Sequence, residues 1–228
     1  MKILALETST SQCSVALLTA DGILERSQMA VRAHAELILP MLESLLAEAE
    51  LSLTQLDALA FGRGPGGFTG VRVATAVVQG LAFGAERPVV PISDLMALAA
   101  GAHRRYGSEK ILVCMDARIG QVYWCAYAAE AADDFTAYMP ETLGAPEFVQ
   151  PPDADLWFGT GSGFNVYKDV LTAHLRSVLD GQDAALLPTA QDVALLARLL
   201  LARGQAVSAD VAMPVYLRDR VALPKSRL

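Results

Sequence analysis

Hydrophobic and polar positions along the chain follow the pattern of an α/β protein that opens on a β-hairpin. Residues 3–6 are apolar, Glu7 begins a hydroxyl-rich turn, and residues 13–18 are apolar again, which predicts a strand, a turn and a returning strand. About 109 residues later the layout recurs, with an apolar run, the acid Asp116 and β-forming residues at 122–127. The recurrence predicts an internal duplication.

Between and after these hairpins, the spacing of apolar residues alternates between the periods of strands and helices. The predicted strands lie near residues 23–29, 58–62, 89–90 and 156–158. The predicted helices lie near residues 33–49, 69–83, 166–179 and 190–202. The segment 128–155 is rich in proline and acids, which predicts one or two strands joined by surface loops.

The chain length suits two small subdomains. At 228 residues the chain can bury a sizeable core, and the recurring hairpin divides it into residues 1–105 and 106–228. The tail from about residue 205 is expected to pack back on the first subdomain. Helices and strands that alternate after an antiparallel start are typical of the α/β class.

Charge and composition limit the classes of function. Hydrophobic residues make up 53% of the chain and charged residues 19%, the profile of a folded protein. The formal net charge is −7, whereas a protein that grips tRNA by itself normally carries an excess of Lys and Arg. Direct nucleic-acid binding is therefore disfavoured. The apolar surplus favours a surface that a protein partner covers.

The sequence predicts a cytoplasmic protein without a membrane span. The purest apolar stretches, such as residues 95–102, stop short of the roughly 20 residues that a spanning helix needs. No secretory signal is expected, because Glu7 interrupts the first apolar run. Cys13, Cys114 and Cys125 lie in apolar surroundings without a CxxC pair, so we predict buried thiols rather than disulfides or zinc ligands.

A glycine-rich stretch lies between a predicted strand and a predicted helix, with five glycines within residues 62–70. Such a run permits a tight turn and lets another backbone or a ligand approach closely. Gly62, Gly64 and Gly67 satisfy the dinucleotide pattern G-x-G-x-x-G, but Pro65 removes a backbone donor and no ribose-binding acid follows the next strand. No Gly-Lys-Ser/Thr end marks a P-loop. A purely structural turn stays open as an alternative.

Residues 64–72 read GPGGFTGVR, which resembles the GPGSFTGVR signature of the TsaB (YeaZ) family, with Gly67 in place of the commoner serine. A nine-residue match of this kind is specific. The resemblance covers nearly the whole chain in order and is weakest at 128–155. Further matching segments lie at residues 4–10, 13–17, 39–40, 116–118, 122–123 and 214–218.

The resemblance implies the duplicated actin-like ATPase (ASKHA) fold, with two subdomains that each open with a β-hairpin. It also implies a non-catalytic subunit in the biosynthesis of threonylcarbamoyladenosine, the modified adenosine 3′ of the tRNA anticodon. The partners it implies are the larger catalytic subunit TsaD, the ATPase TsaE and a second copy of the chain, with tRNA met only within the complex. No cofactor is implied for this chain, because ATP or ADP and metal are expected on the partner subunits.

The alternative function is an independent small actin-like ATPase or kinase. The related TsaD binds its metal through two histidines four residues apart on one helix, whereas here His34 is followed at that spacing by Ile38. His103, in a predicted surface turn, and His174, on the exposed side of a predicted helix, have no acid or nucleophile arranged beside them in the sequence. We therefore predict neither a metal site nor a catalytic residue.

The resemblance also implies a vestigial nucleotide or loop site. Glu7 and Asp116 occupy the strand ends at which actin-like ATPases carry acids that manage magnesium and water, although Glu7 is equally consistent with a local structural acceptor. Gly159 and Gly161 resemble the loop that faces adenosine, with a plain strand-to-helix turn as the alternative. The residues assigned to this site are Glu7, Thr8, Ser9, Gly64, Gly66, Gly67, Thr69, Asp116, Gly159 and Gly161.

The helix predicted at residues 33–49 is the expected partner surface. Its apolar side chains sweep an arc of roughly 200°, about twice what packing on one sheet requires. The surplus flank is expected to meet another chain, and the sequence leaves open whether the edge with Leu39 or the edge with Leu37 faces outward. The residues assigned to this interface are His34, Leu37, Ile38, Met41, Leu42, Leu45 and Leu46.

Overall fold

The structure, a computed structural model, describes residues 1–30 and 32–218 of the chain. Within these residues two mixed β-sheets are separated by a pair of helices and covered by further helices on their outer faces. Each half of the chain supplies one sheet. The predicted α/β architecture with two hairpin-led halves is confirmed.

The first sheet has five strands. They are β1 (Ile3–Glu7), β2 (Gln12–Thr19), β3 (Gly22–Met29), β4 (Ala58–Gly62) and β5 (Val89–Ile92). β1, β2 and β3 form an antiparallel meander, and β4 and β5 continue the sheet parallel to β1, which gives the order β3-β2-β1-β4-β5. Every residue of β1 and β4 is buried, as expected for strands covered on both faces.

The second half repeats this arrangement. Its strands are β6 (Lys110–Arg118), β7 (Gln121–Ala131), β8 (Asp134–Ala137), β9 (Thr142–Gly144), β10 (Trp157–Thr160) and β11 (Leu179–Asp183). β6, β7 and β8 form an antiparallel meander, β10 and β11 lie parallel to β6, and β9 adds to β7. The order β8-β7-β6-β10-β11 matches the first sheet strand for strand, so the predicted duplication is confirmed.

The helices connect the two halves, and each half provides one helix that packs on the sheet of the other. They are α1 (His34–Glu48), α2 (Phe68–Ala85), α3 (Asp94–Tyr106), α4 (Gly163–Val166), α5 (Lys168–Leu175) and α6 (Ala190–Ala202). α3, from the first half, packs on β6 and β7, whereas α6, from the second half, packs on β1 and β2. Beyond α6, Val207 and Val89 exchange two backbone hydrogen bonds of 2.8 Å. The division at residues 105 and 106 stays a prediction.

Three apolar clusters hold the layers together. The central cluster joins the facing sides of both sheets to α3 and α6, with Ile3, Leu98 and Ile111 among its buried members. The second lies between the first sheet and α1 and α2, and the third lies between the second sheet and α4 and α5, around Trp157. The cleft described below opens beside the central layer.

Two sequence predictions need correction. The helix predicted at residues 166–179 is instead α5 followed by β11, because Leu179 pairs in parallel with Trp157 at the sheet edge. The second correction concerns His103, which lies in the last turn of α3 and not in a surface turn. α3 begins where Ser93 Oγ accepts the N–H of Met96 at 3.2 Å, a local cap that the sequence pattern leaves unassigned.

Cys13, Cys114 and Cys125 are buried free thiols, as predicted. Burial is the main cause that raises the pKa of Cys13 to about 11, with a further contribution from the carboxylate of Glu7. These thiols are therefore protonated packing groups at neutral pH.

α2 is long and apolar enough to cross a bilayer, judged by length and composition alone. A core helix of a soluble protein passes the same test, and α2 packs on the first sheet through buried residues such as Val71, Ala74 and Val78. The helix is therefore weak evidence for a membrane span.

Candidate functional site

A cleft of about 600 Å³ opens between the two halves. The first half contributes the turn after β1, the segment before α1, and residues 65–67 of the segment 63–67, which we call the glycine loop. The second half contributes the β6–β7 turn and the turn between β10 and α4. Among the described residues, the charged side chains on its walls are those of Arg32, Arg118, Arg218 and Asp116, so this part of the surface is more basic than the chain as a whole.

The glycine loop packs against the backbone of the protein itself. The N–H of Gly67 donates to the carbonyl of Ser9 at 2.7 Å, and Thr8 Oγ1 donates to the carbonyl of Gly70 at 2.7 Å. A Cβ at Gly66 would lie 2.6 Å from the Ser9 Cβ, and one at Gly70 would lie 1.8 Å from the Thr8 carbonyl oxygen. The glycines thus let the loop and α2 approach the turn after β1, which favours the structural interpretation of this motif.

Glu7 is fully buried at the end of β1. Its Oε1 accepts the N–H of Ser9 at 2.5 Å, and its Oε2, without a hydrogen-bond partner among the described residues, faces Asp94 at the start of α3. The carboxyl group of Glu7 therefore acts as a local structural acceptor that holds the turn after β1.

Asp116 occupies the equivalent position in β6 and is engaged differently. Its Oδ1 accepts the N–H of Arg118 at 2.9 Å and the hydroxyl of Tyr167 at 3.2 Å, while the Arg118 guanidinium lies 3.2 Å from Oδ2. The N–H of Asp116 donates to Ser162 Oγ at 3.0 Å. The charge of this acid is thus balanced at the cleft wall by a cation of its own turn.

The structure brings part of the predicted loop site together. Ser9, Gly66, Gly67 and Asp116 line the cleft, and Thr8 lies beneath the glycine loop. The remaining assigned residues, Glu7, Gly64, Thr69, Gly159 and Gly161, are absent from its walls among the described residues. The assignment of nucleotide binding to this group stays a prediction.

Gly159 lies in β10, and Gly161 lies in the turn between β10 and α4. A Cβ at Gly161 would lie 2.6 Å from the carbonyl oxygen of Cys114, and one at Gly159 would lie 2.7 Å from the ring of Phe164. Gly161 also adopts a φ of +102°, which favours glycine. These contacts fit the plain strand-to-helix turn that the sequence leaves open.

His34 lies at the first turn of α1, where its Nε2 is 2.9 Å from the carbonyl oxygen of Thr10. Ile38, one turn later, is fully buried in the core below α1. In the part of the chain that the structure describes, no three His, Cys, Asp or Glu side chains are grouped to hold a metal ion. The His34 ring thus ties the start of α1 to the turn after β1.

The segment after α6 crosses from one half to the other at the cleft. The N–H of Val215 donates to the carbonyl of Arg63 at 2.8 Å, and Arg72 Nε donates to the hydroxyl of Tyr216 at 2.8 Å. Arg218 Nη2 then donates to the carbonyl of Ala117 at 2.8 Å in the second half. The residues of the matched motif 214–218 therefore bridge the glycine loop and the β6–β7 turn.

The apolar residues of α1 differ in how deeply they are buried. Ile38, Leu42, Leu45 and Leu46 are buried against the first sheet, with Leu46 only 9% exposed. Leu39 is 42% exposed, and Leu37 and Met41 are half-buried. Leu39 and Leu46 lie on the same side of the helix, so their difference reflects position along the axis. The leucine and methionine side chains of α1 that another chain could reach are those of Leu37, Leu39 and Met41.

Sequence reasoning misses two residues that shape the site. Asp94 directly follows the N-cap Ser93, so in the sequence it resembles an ordinary first-turn acid, although its side chain is fully buried beside Glu7. Arg218 reaches the cleft from far along the chain, and its presence in the matched motif 214–218 is the signal that could have placed it there.

Comparisons with known proteins agree with this architecture. Residues 22–225 match the family described as TsaD, tRNA N6-adenosine threonylcarbamoyltransferase. The chain is 39% identical to the tRNA threonylcarbamoyladenosine biosynthesis protein TsaB of Escherichia coli, over 99% of this chain and 98% of that protein. It is also 39% identical to the Haemophilus influenzae protein of the same name, over 99% and 97% of the two chains.

A solved structure is similar to this chain over the same length. YeaZ from Pseudomonas aeruginosa superposes with a TM-score of 0.89 at 45% sequence identity, and the match covers 95% of this chain and 99% of that one. Sequence and structure therefore agree over nearly the full length of both proteins. The chain belongs to the TsaB (YeaZ) family, whose actin-like α/β fold it shares.

Proposed function

We propose that this chain is a non-catalytic subunit of the machinery for tRNA threonylcarbamoyladenosine biosynthesis. The observation that carries the proposal is the 39% identity, over almost the entire length, to two proteins named for that biosynthesis. The cleft supports it, because Glu7 organises its own turn and Asp116 is balanced by Arg118. Both strand-end acids are thus used for contacts within the protein.

The proposed role is to hold the catalytic subunit TsaD in a competent state, together with TsaE. The chain matches a family described as TsaD, so the two proteins share a fold. A surface that pairs two copies of this chain can therefore also pair it with TsaD. ATP or ADP and metal would reside on the partners, and the complex would work on tRNA in the cytoplasm.

Replacement in cells tests the function. We expect this chain, produced in place of the E. coli TsaB, to restore threonylcarbamoyladenosine in tRNA, measured by mass spectrometry of digested tRNA. The contradicting result has two parts. The tRNA stays unmodified in cells that contain the folded chain together with the E. coli TsaD and TsaE, and the chain captures neither TsaD nor TsaE in a pull-down.

The partner surface is tested with charged substitutions on α1. Leu39→Lys and Met41→Lys place a charge on opposite edges of the apolar surface that another chain could reach, so melting should change little. The variant on the edge that faces the partner should lose the dimer on gel filtration and the capture of TsaD. Phe148→Lys is the matched control, because this side chain is 70% exposed on the second half. If both α1 variants assemble like the control, α1 is not the interface.

Turnover of ATP separates the proposal from its rival, an independent small actin-like ATPase or kinase. We expect the purified chain with ATP and magnesium to show no turnover near the enzyme norm of about 1 per second or faster. We also expect it to bind unmodified tRNA more weakly than about 1 μM at physiological salt, because its net charge is −7. Fast hydrolysis would favour the ATPase, and submicromolar binding would contradict the partner-dependent role.

A further inference from the structure

Two carboxyl groups meet inside the first half with no exposure to solvent. Glu7 ends β1, Asp94 begins α3 two residues after the end of β5, and β4 lies between these two parallel strands. The two side chains therefore converge over Gly62, the last residue of β4. A Cβ at Gly62 would lie 1.8 Å from Glu7 Oε2 and 2.1 Å from Asp94 Oδ1, so only glycine leaves room for the pair.

Each carboxyl group uses its other oxygen to hold a loop. Glu7 Oε1 accepts the N–H of Ser9 at 2.5 Å, and Asp94 Oδ2 accepts the N–H of Gly64 at 2.7 Å. The remaining oxygens, Glu7 Oε2 and Asp94 Oδ1, have no hydrogen-bond partner among the described residues. Because both lie about 2 Å from one point, they are no more than about 4 Å apart, where two buried charges repel strongly.

Within residues 1–30 and 32–218, the groups that surround the pair do not neutralise two negative charges. Arg63 follows Gly62, but its guanidinium is engaged by Glu141 at 3.3 and 3.4 Å. From β2, the Cys13 thiol faces Glu7 and is itself kept protonated by burial and by that carboxylate, with a pKa raised to about 11. From the start of α3, Ser93 uses its hydroxyl oxygen to cap the helix. The N-terminus of α3 offsets only part of one charge.

We propose that Glu7 and Asp94 share one proton, and that this proton fastens the glycine loop to the turn after β1. Asp94 carries it, and its O–H donates to Glu7 Oε2. A continuous chain of hydrogen bonds then runs from the N–H of Ser9 through the two carboxyl groups to the N–H of Gly64. Loss of the proton leaves two facing carboxylates and separates the two segments, both of which wall the cleft.

The electrostatics agree with this assignment. Burial is the largest cause that raises the pKa of Asp94 well above its ordinary value, and the nearby Glu7 raises it further. The N–H of Gly64 and the charge of Arg63 act in the opposite direction and are smaller causes. A pKa raised in the folded state makes the folded protein bind a proton that the unfolded chain releases. Stability is then full below the ordinary Asp pKa and falls as pH rises through the raised folded value.

The Asp94→Asn variant tests the proposal, because its amide N–H can donate to Glu7 without a titrating proton. Folding constants are measured by urea denaturation between about pH 5 and about pH 8. Relative to the variant, the wild type should lose up to tenfold in its folding constant per pH unit, the signature of one extra bound proton. Asp116→Asn is the control, because its acid faces Arg118, and it should keep the wild-type pH dependence.

Two measurements on the wild-type protein keep the proposal testable if the variant does not fold. Infrared spectroscopy at neutral pH should show a protonated-carboxyl stretch that shifts when aspartate is labelled with carbon-13. Hydrogen exchange should show that the protection factor of the Gly64 N–H falls as pH rises. Parallel pH curves for wild type and Asp94→Asn, or a spectrum without the protonated band, would overturn the shared proton. A protection factor that does not change with pH would overturn the fastening role.

Discussion

The duplicated halves place an acid at the same topological position but use it in opposite ways. Glu7, at the end of β1, is fully buried and faces a second acid, Asp94, over a glycine. Asp116, near the end of β6, stands at the cleft wall and faces the guanidinium of Arg118. Strand order is the same in both halves, whereas the chemistry at the strand ends differs.

This difference shows which parts of a duplicated fold are free to diverge. The strand order is fixed by backbone ladders and by a close-packed central core, in which changes of volume are costly. The acid at each strand end takes its partner from the adjoining turn, Ser9 in one half and Arg118 in the other, so it can be a buried acceptor in one half and a member of an ion pair in the other. The halves also differ outside the sheets, because the position of α1 is taken between β8 and β10 by β9 and a short 3-10 helix at Pro146–Phe148.

The largest effect is expected where the glycine contacts are tightest. In Gly70→Ala the new Cβ would lie 1.8 Å from the carbonyl oxygen of Thr8, so α2 must move away from the turn after β1. We expect a loss of about 4 kcal/mol or more in the free energy of unfolding, measured by urea denaturation. Gly163→Ala, at the start of α4, meets Cys114 Sγ at 2.6 Å and should cost less.

Gly80→Ala is the matched control on the same helix, because a Cβ there meets nothing within 4 Å. Helix propensity predicts that it stabilises the protein by up to about 1 kcal/mol. If Gly70→Ala and Gly80→Ala are equally stable, the close approach of α2 to Thr8 is not a constraint. The contrast between the two halves would then lose its structural basis.

An intermediate effect is expected at a third buried acid, which does have a cation. Asp192 on α6 is 1% exposed, and Arg104 on α3 lies 3.0 Å from its Oδ1. Arg104→Met leaves this carboxylate without its partner and should cost about 2 kcal/mol near neutral pH, since one member of the pair is partly exposed.

The pH dependence of Arg104→Met adds a second check. Burial already raises the pKa of Asp192, and Arg104 is the main group that lowers it. Without Arg104 the folded-state pKa rises further, so the extra loss of stability should grow as pH rises from about 5 and shrink in acid. Arg105→Met is the control, because this neighbour lies over the Tyr106 ring instead. Equal losses for both variants would contradict the role of the ion pair.

Much of the fold follows from the sequence pattern because most elements are amphipathic or wholly apolar. The two hairpins, α1, α2 and α6 are identified from periodicity alone, since each presents a continuous apolar face. β11 escapes this reasoning, because its sequence LDGQD has neither a strand-like alternation nor β-branched residues. It forms a strand through parallel pairing with β10, which only the assembled sheet provides.

The candidate site is less predictable than the fold because its contacts join residues distant in the chain. The glycine motif correctly marks a close approach, but the sequence cannot tell that the approaching group is the protein's own backbone at Thr8 and Ser9. Asp94 is 87 positions from Glu7, and only the adjacency of β1, β4 and β5 brings them together. Family resemblance does identify the motif 214–218, whose bridging role depends on tertiary structure.

The smallest effect is expected for Asp116→Asn, which tests whether the acid of the second half needs its charge. The amide oxygen can still accept the N–H of Arg118 and the hydroxyl of Tyr167, so the turn keeps its hydrogen bonds. Only the ion pair with the Arg118 side chain is lost, and that side chain is 86% exposed, so we expect a loss below about 1 kcal/mol. Added salt should reduce the difference between wild type and variant in urea denaturation. Asp116→Ala also removes the acceptor and should cost more, about 1–2 kcal/mol. A loss of several kcal/mol from Asp116→Asn would show that this carboxylate is as critical to its half as Glu7 is to the first, and the contrast between the two strand ends would fail.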